Sequence, residues 1–215
     1  MVNARAPLSR LKIVTVAIDM IDAHGLESFS IRSLGAELGV APMTLYWHVG
    51  TKDELLALVL DELIGRVAVP EPGGHWTDRV AALLRDLRRV YLRHPQAAPL
   101  LSTRPATGPN ALDRTEALVG ELRSAGFDDA QVPLIYRTLL NYTTGSAQAE
   151  CTATSSGTQP EGHSDAEGQS RSPDLAATHP HLAAILPGFT PSTPGESFEF
   201  GLARLLEALA PLADR

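Results

Sequence analysis

Apolar residues recur at three- and four-residue spacings along this chain, and polar breakers divide them into helical blocks. The first block carries Ile13, Val14, Val16, Ala17, Ile18, Met20 and Ile21 as one broad stripe, with Ser9 as a hydroxyl cap before it and Gly25 as a stop after it. Ser30 can cap a second, short helix in which Ile31, Leu34 and Leu38 share a side. Gly39 ends it, because glycine tolerates a left-handed backbone. Pro42 suits the first position of a third helix, where its missing N–H would have had no intrahelical partner, and that helix runs to about Val49. Thr51 and Glu54 match a capping box at the head of a fourth helix rich in leucine, from Leu55 to Ile64.

The Pro/Gly run from Val69 to Gly74 interrupts the pattern, so the domain boundary is placed there: residues 1–68 form one unit and 75–215 another. Beyond it, helices are predicted for Trp76 to Tyr91, Leu112 to Leu122, Ala130 to Ala149 and Glu196 to Leu212. Residues 152–174 are dominated by small, polar and charged side chains. They hold too little apolar surface to offset ordering entropy and predict a flexible loop. The last helix brings Phe198, Phe200, Leu202, Leu205, Leu206, Leu209 and Leu212, more apolar surface than one packed face needs, which predicts a protein partner. With no strand-like alternation and no internal repeat, the chain reads as all-α: an N-terminal three-helix helix-turn-helix domain followed by a helical domain.

Composition narrows the function. The 215 residues are 44% hydrophobic, enough for a sizeable core, and a net charge of −7 excludes a protein that coats nucleic acid nonspecifically. Any DNA affinity must come from a local site. Cys151 is the only cysteine, so an intrachain disulfide is excluded, a thiolate zinc site lacks ligands, and a reducing cytoplasm is the expected location. The apolar stretch from Leu11 to Ile21 is broken by Lys12 and Asp19 and followed by Asp22, so neither a signal segment nor a membrane span is expected.

The second and third helices, joined at Gly39, read as a helix-turn-helix, in which the second helix of the pair enters the major groove. Thr44 can donate to a phosphate or touch a thymine methyl; Tyr46 and His48 can bond phosphate oxygens; Trp47 can donate its indole N–H while packing on sugars. Pro42 and Met43 at the tip would read methyl groups and shape. Arg32 can clasp guanine with two hydrogen bonds, a contact worth ~1–3 kcal/mol of discrimination, and Lys52 can meet a phosphate.

The segment from about Leu11 to Leu60, above all Thr44-Leu45-Tyr46-Trp47-His48-Val49 followed by Lys52, resembles the DNA-binding domain of the tetracycline-repressor (TetR) family. The likeness continues more weakly through Thr103-Arg104-Pro105, Tyr142-Thr143-Thr144-Gly145 and Phe198-Glu199-Phe200-Gly201-Leu202. It implies a homodimer that represses transcription from a palindromic double-stranded DNA operator, paired through the helices at Ala130 to Ala149 and Glu196 to Leu212, and released by a small molecule. By position, the family's DNA contacts fall on Arg32, Pro42, Met43, Thr44, Tyr46, Trp47, His48 and Lys52. Pro42 and Met43 stand where a glutamine and a proline are found in the family's namesake, so a different operator is expected.

The namesake's drug-holding histidine, asparagine and phenylalanine align near Ala68, Leu83 and Leu87, and its metal-binding histidine near Leu100. These replacements lack the hard oxygen and imidazole ligands that a magnesium complex requires, so a more apolar effector is expected, with no metal and no cofactor. Candidate effector contacts are Leu83, Leu87, Leu100, Arg104, Ile135 and Leu139, with Arg104 either meeting an anionic or carbonyl group or serving a structural ion pair.

Rival chemistry has little support. His163-Ser164-Asp165 has the residue types of a hydrolytic triad, but three neighbours in a loop cannot hold nucleophile, base and acid in line. His179-Pro180-His181 with Asp174 lacks diagnostic metal spacing, and Cys151 has no resolving thiol, so a buried or idle role is expected for it. No enzymatic activity is expected. The more serious alternative is a ligand-binding or interaction module with little DNA binding, suggested by Asp53, Glu54, Asp61 and Glu62 beside the reading head.

Overall fold

Hydroxyl caps start three of the first four helices in the computed structural model, which describes residues 8–104, 106–155, 173–186 and 194–213. Helix α1 (Arg10–His24) begins where the Ser9 side chain accepts from the Lys12 N–H at 3.2 Å. Ser30 and Ser33 cap each other's backbone at the head of α2 (Ile31–Leu38), and Gly39 ends that helix in the left-handed region at φ 66°. Helix α3 (Pro42–Val49) opens on proline. Thr51 accepts from the Glu54 N–H at 3.1 Å while the Glu54 carboxylate accepts from the Thr51 N–H at 2.6 Å, so α4 (Lys52–Gly65) starts on a complete capping box. Ile13, Ala17, Ile18, Ile21, Leu34, Leu45, Leu55 and Val59 bury the apolar sides of these four helices in one core.

The second half is also helical: α5 (Trp76–Arg93), a 3₁₀ turn (Pro95–Ala97), α6 (Ala98–Thr103), α7 (Pro109–Ser124), α8 (Gln131–Ser155), α9 (Pro173–Thr178), α10 (Pro180–Ile185) and α11 (Pro194–Ala213). No strand occurs among the described residues, and no helix is long and apolar enough to cross a membrane. Helix α5 packs along α8, with α7 on one flank and α11 on another. Tyr142 of α8 fastens α11 by donating to Phe198 O at 2.9 Å, with its ring stacked on that of Phe198.

Helix α4 is clamped to α7 by reciprocal caps. Gly108, the residue before α7, has no side chain to cap it, and the carboxylate of Asp61 reaches over from α4 instead. It accepts from the Ala111 N–H at 3.0 Å and from Asn110 Nδ2 at 3.1 Å. In return Arg114 of α7 donates from Nε to Val67 O at 2.9 Å and from Nη2 to Gly65 O at 2.6 Å, covering carbonyls left open at the end of α4. An acidic group at one helix N-terminus and a basic group at the other's C-terminus both oppose the helix dipoles favourably.

Two features depart from the sequence reading. Helix α8 continues through Thr152 to Ser155, and α9 begins at Pro173, so both edges of the stretch read as a flexible loop are helical. Extending a helix already formed costs far less than nucleating one, which lets a polar tail follow the packed part. Residues 156–172, including His163, Ser164 and Asp165, lie outside the described residues. The short helices α6, α9 and α10 were not read from the sequence, because six residues are too few to display a period.

Candidate nucleic-acid interface and effector cavity

Helix α3 is fixed by its inner face and bare on its outer one. Leu45 is fully buried and Val49 nearly so, whereas Trp47 is 85% exposed, Met43 66% and Tyr46 45%. The turn that aims α3 is tight: a side chain on Gly35 would place its Cβ 2.9 Å from Val40 O, so glycine permits the approach of α2 to the turn. Arg10 of α1 donates from Nε to His48 O at 3.1 Å and steadies the last turn of α3. The sequence reading missed that contact, because nothing local links residues 38 positions apart.

All eight residues singled out as DNA contacts lie on α3 or beside it. Pro42, Met43, Thr44, Tyr46, Trp47 and His48 are on the helix itself, Thr44 and His48 half-buried and the other four exposed. Arg32 is exposed at the start of α2. Lys52, at the head of α4, donates from Nζ to Phe29 O at 2.7 Å and lies over the Phe29 ring, so the ammonium is anchored to the loop before α2. An ammonium carries three donors, and this bond uses one.

Between α4, α5, α6, α7 and α8 lies an apolar cavity of about 140 Å³. Ile64, Val67, Leu83, Leu87, Leu101, Leu118 and Leu140 form much of its wall; Tyr91, Arg114, Thr115, Tyr136 and Thr144 add polar atoms. Leu83 and Leu87 thus face the space, but Leu100, Ile135 and Leu139 are buried elsewhere, and their neighbours Leu101, Tyr136 and Leu140 line it. A helix turns about 100° per residue, so an apolar period locates a stripe without saying which edge of it borders a void. Arg104 is not in the wall. It pairs with Asp53, on the first turn of α4, at 2.7 Å. Ala68 is also outside the wall, its N–H donating to Asp86 Oδ2 at 2.6 Å. The missed Arg114 and Thr115 did leave a signal: they fall three and four residues after Ala111 and before Leu118, on the stripe where α7 should be apolar.

Elsewhere, Cys151 is buried, and burial foremost, with the neighbouring Glu150 charge second, pushes its thiol pKa up. His179 bonds its neighbour Thr178 at 2.8 Å, and both His179 and His181 are exposed. Among the described residues no group of three or more His, Cys, Asp or Glu side chains could hold a metal ion.

Residues 13–59 match the model of the bacterial regulatory proteins, tetR family, and residues 69–212 match that of the tetracyclin repressor-like C-terminal domain. The chain belongs to the TetR family. An HTH-type transcriptional regulator of Saccharopolyspora erythraea is 44% identical over 144 residues, which is 66% of this chain and 61% of that protein. The chain spans 52% of the length of another curated relative. Among TetR-family structures, ActR of Streptomyces coelicolor in complex with actinorhodin is 31% identical, with a TM-score of 0.87 over 98% of this chain and 100% of that one. BioQ, a protein of Mycobacterium smegmatis solved with its double-stranded DNA operator, is 25% identical, with a TM-score of 0.66 over 95% and 99%.

Proposed function

We propose that this chain is a ligand-responsive transcriptional repressor that binds a palindromic double-stranded operator as a homodimer and leaves it when a small, largely apolar effector occupies the cavity. The observation that carries this reading is α3, an eight-residue helix with Leu45 and Val49 sealed inward and Met43, Tyr46 and Trp47 turned out. A soluble domain gains nothing from exposing an indole at 85%, and large apolar groups left bare commonly mark an interaction surface. Membership of the TetR family and the DNA-bound structure of BioQ support a duplex as the partner. ActR, solved with actinorhodin, supports a small molecule as the second.

In this reading residues 1–68 are the DNA-binding domain, and residues 75–215 bind the effector and dimerise. Pro42, Met43, Thr44, Tyr46, Trp47 and His48 meet the groove and backbone, with Arg32 and Lys52 flanking them. The dimer forms through α8 and α11, where Leu134 and Phe200 stand 70% and 69% exposed on the far side from the core. The effector meets Leu83 and Leu87 in the cavity, and the protein works in the cytoplasm without metal or catalysis.

A mobility-shift assay on palindromes from its own promoter region tests the reading at several salt concentrations. Binding should weaken steeply as salt rises, because phosphate contacts release counterions. Trp47→Ala should weaken every site about equally, and Arg32→Ala should relax selectivity at one base pair. Absence of salt-dependent binding to any such palindrome would refute the assignment.

A further inference from the structure

Among the described residues that line the cavity, Arg114 is the one charged side chain, and one edge of it is already committed. Nε and Nη2 donate to Val67 O and Gly65 O, which fixes the guanidinium plane against the end of α4. Nη1 has no acceptor among the described residues, so the end-on fork made by Nη1 and the second N–H of Nη2 is unbonded. A cation beside apolar walls is costly unless an acceptor meets it, and a planar oxyanion matches that fork with two parallel hydrogen bonds. Two of the other polar groups in the wall bond each other: Thr115 Oγ1 and Tyr136 Oη lie 3.0 Å apart.

Resting on the reading of this cavity as the effector site, we infer that Arg114 reads a carboxylate on an otherwise apolar, ring-sized ligand and that the same guanidinium ties the filled cavity to the end of α4. One planar cation then serves both partners, the ligand on its end-on fork and the helix carbonyls on its side edge. Holding either edge reduces the freedom of the other, and such coupling is reciprocal. A carboxylate ligand therefore protects the end of α4, and a neutral molecule of the same shape fills the space without doing so.

The test titrates the full chain calorimetrically with 1-naphthoate and with its neutral near-isostere 1-naphthamide, and follows amide hydrogen exchange across residues 60–68. Naphthoate should bind at least about tenfold more tightly than naphthamide, the order of a charge-assisted bidentate contact, and should slow exchange across residues 60–68. Arg114→Met should bind both probes alike and show fast exchange there with or without them. Arg114→Lys keeps the charge but not the fork, so it should retain some preference for naphthoate and lose the exchange effect. A preference that survives in Arg114→Met, or naphthoate binding that leaves exchange at 60–68 unchanged, overturns the role of Arg114 and leaves the cavity reading intact. Binding of neither probe, or binding that the cavity-filling Leu83→Trp does not block, overturns the cavity reading and this inference with it.

Discussion

Replacing Asp61 by alanine removes the cap of a helix that has no other. The carboxylate is 8% exposed and accepts from Ala111 N at 3.0 Å, from Asn110 Nδ2 at 3.1 Å and, weakly, from Asn110 N at 3.4 Å. Ala111 is 3% exposed, so its N–H would be left buried without an acceptor, at a cost of about 1–3 kcal/mol. Loss of the favourable charge at the helix N-terminus adds about 1 kcal/mol, whereas the half-buried Asn110 amide can turn to water. The sum is about 3 kcal/mol, or a fall in melting temperature of roughly 6–12 °C for a chain of this size. Guanidinium unfolding followed by tryptophan fluorescence measures it, because Trp76 is buried with its ring edge-on to Phe127 while Trp47 already faces solvent. Asp61→Asn keeps the shape and one acceptor, and should lose about half as much. A midpoint for Asp61→Ala within about 0.5 kcal/mol of the parent, the range of an ordinary surface change, would refute the capping argument.

Leu45→Ala and Trp47→Ala, two positions apart on α3, should behave oppositely. The first empties a fully buried site and should cost about 2–5 kcal/mol of stability. The second should leave stability within about 0.5 kcal/mol yet lower operator affinity about tenfold, read by fluorescence anisotropy on a labelled duplex. The Thr51 hydrogen bonds, that of its N–H first and that of its hydroxyl second, hold the Glu54 carboxyl below its ordinary range. A depressed folded value means that the contribution is complete above the unfolded carboxylate pKa and fades as pH falls through the folded one, so Glu54→Gln should flatten that part of a stability–pH curve. At Gly201 a methyl group would collide with the ring and hydroxyl of Tyr142, so Gly201→Ala should cost about 1–3 kcal/mol by denaturant titration as α11 is pushed off α8.

The first four helices were legible because their information is local. Ser9, Ser30, Pro42 and Thr51 each mark a helix start through a hydrogen bond or a missing one within four residues, and the observed helices begin at the positions they set. The all-helical class followed from periodicity in the same way. The cavity wall was harder, since Leu100 and Leu101, or Leu139 and Leu140, are equally apolar and only the packing of α6 and α8 against other helices decides which of each pair meets the void. Long-range polar contacts were invisible for a different reason. Asp61 and Arg114 each look like ordinary charged positions on a helix surface until α4 and α7 lie side by side.

The contacts that join the first four helices to the rest of the chain are unequal, and the inequality says where a displacement can pass. Arg104 and Asp53 meet at 2.7 Å, but the Asp53 side chain is 78% exposed, and an ion pair so open to water is worth about 0–1 kcal/mol. His94 bridges α1 and α4: Arg66 can only donate, so Nε2 accepts from it at 3.1 Å, and Nδ1–H donates to Asp22 at 2.7 Å. His94 is not among the residues that line the cavity. Among the described residues, only the Asp61–Arg114 clasp is buried or half-buried at both ends, binds backbone at both helix termini and includes a residue of the cavity. If α7 shifts when the cavity fills, α4 must follow it or forfeit both caps, and α4 begins three residues after α3 ends. A double-mutant cycle of Asp61→Ala and Arg114→Met should therefore show coupling above about 0.5 kcal/mol, whereas a cycle of Asp53→Ala and Arg104→Met should show less. Additive losses at the first pair would mean that the two caps act independently, and α4 would then be free to move at one end while held at the other.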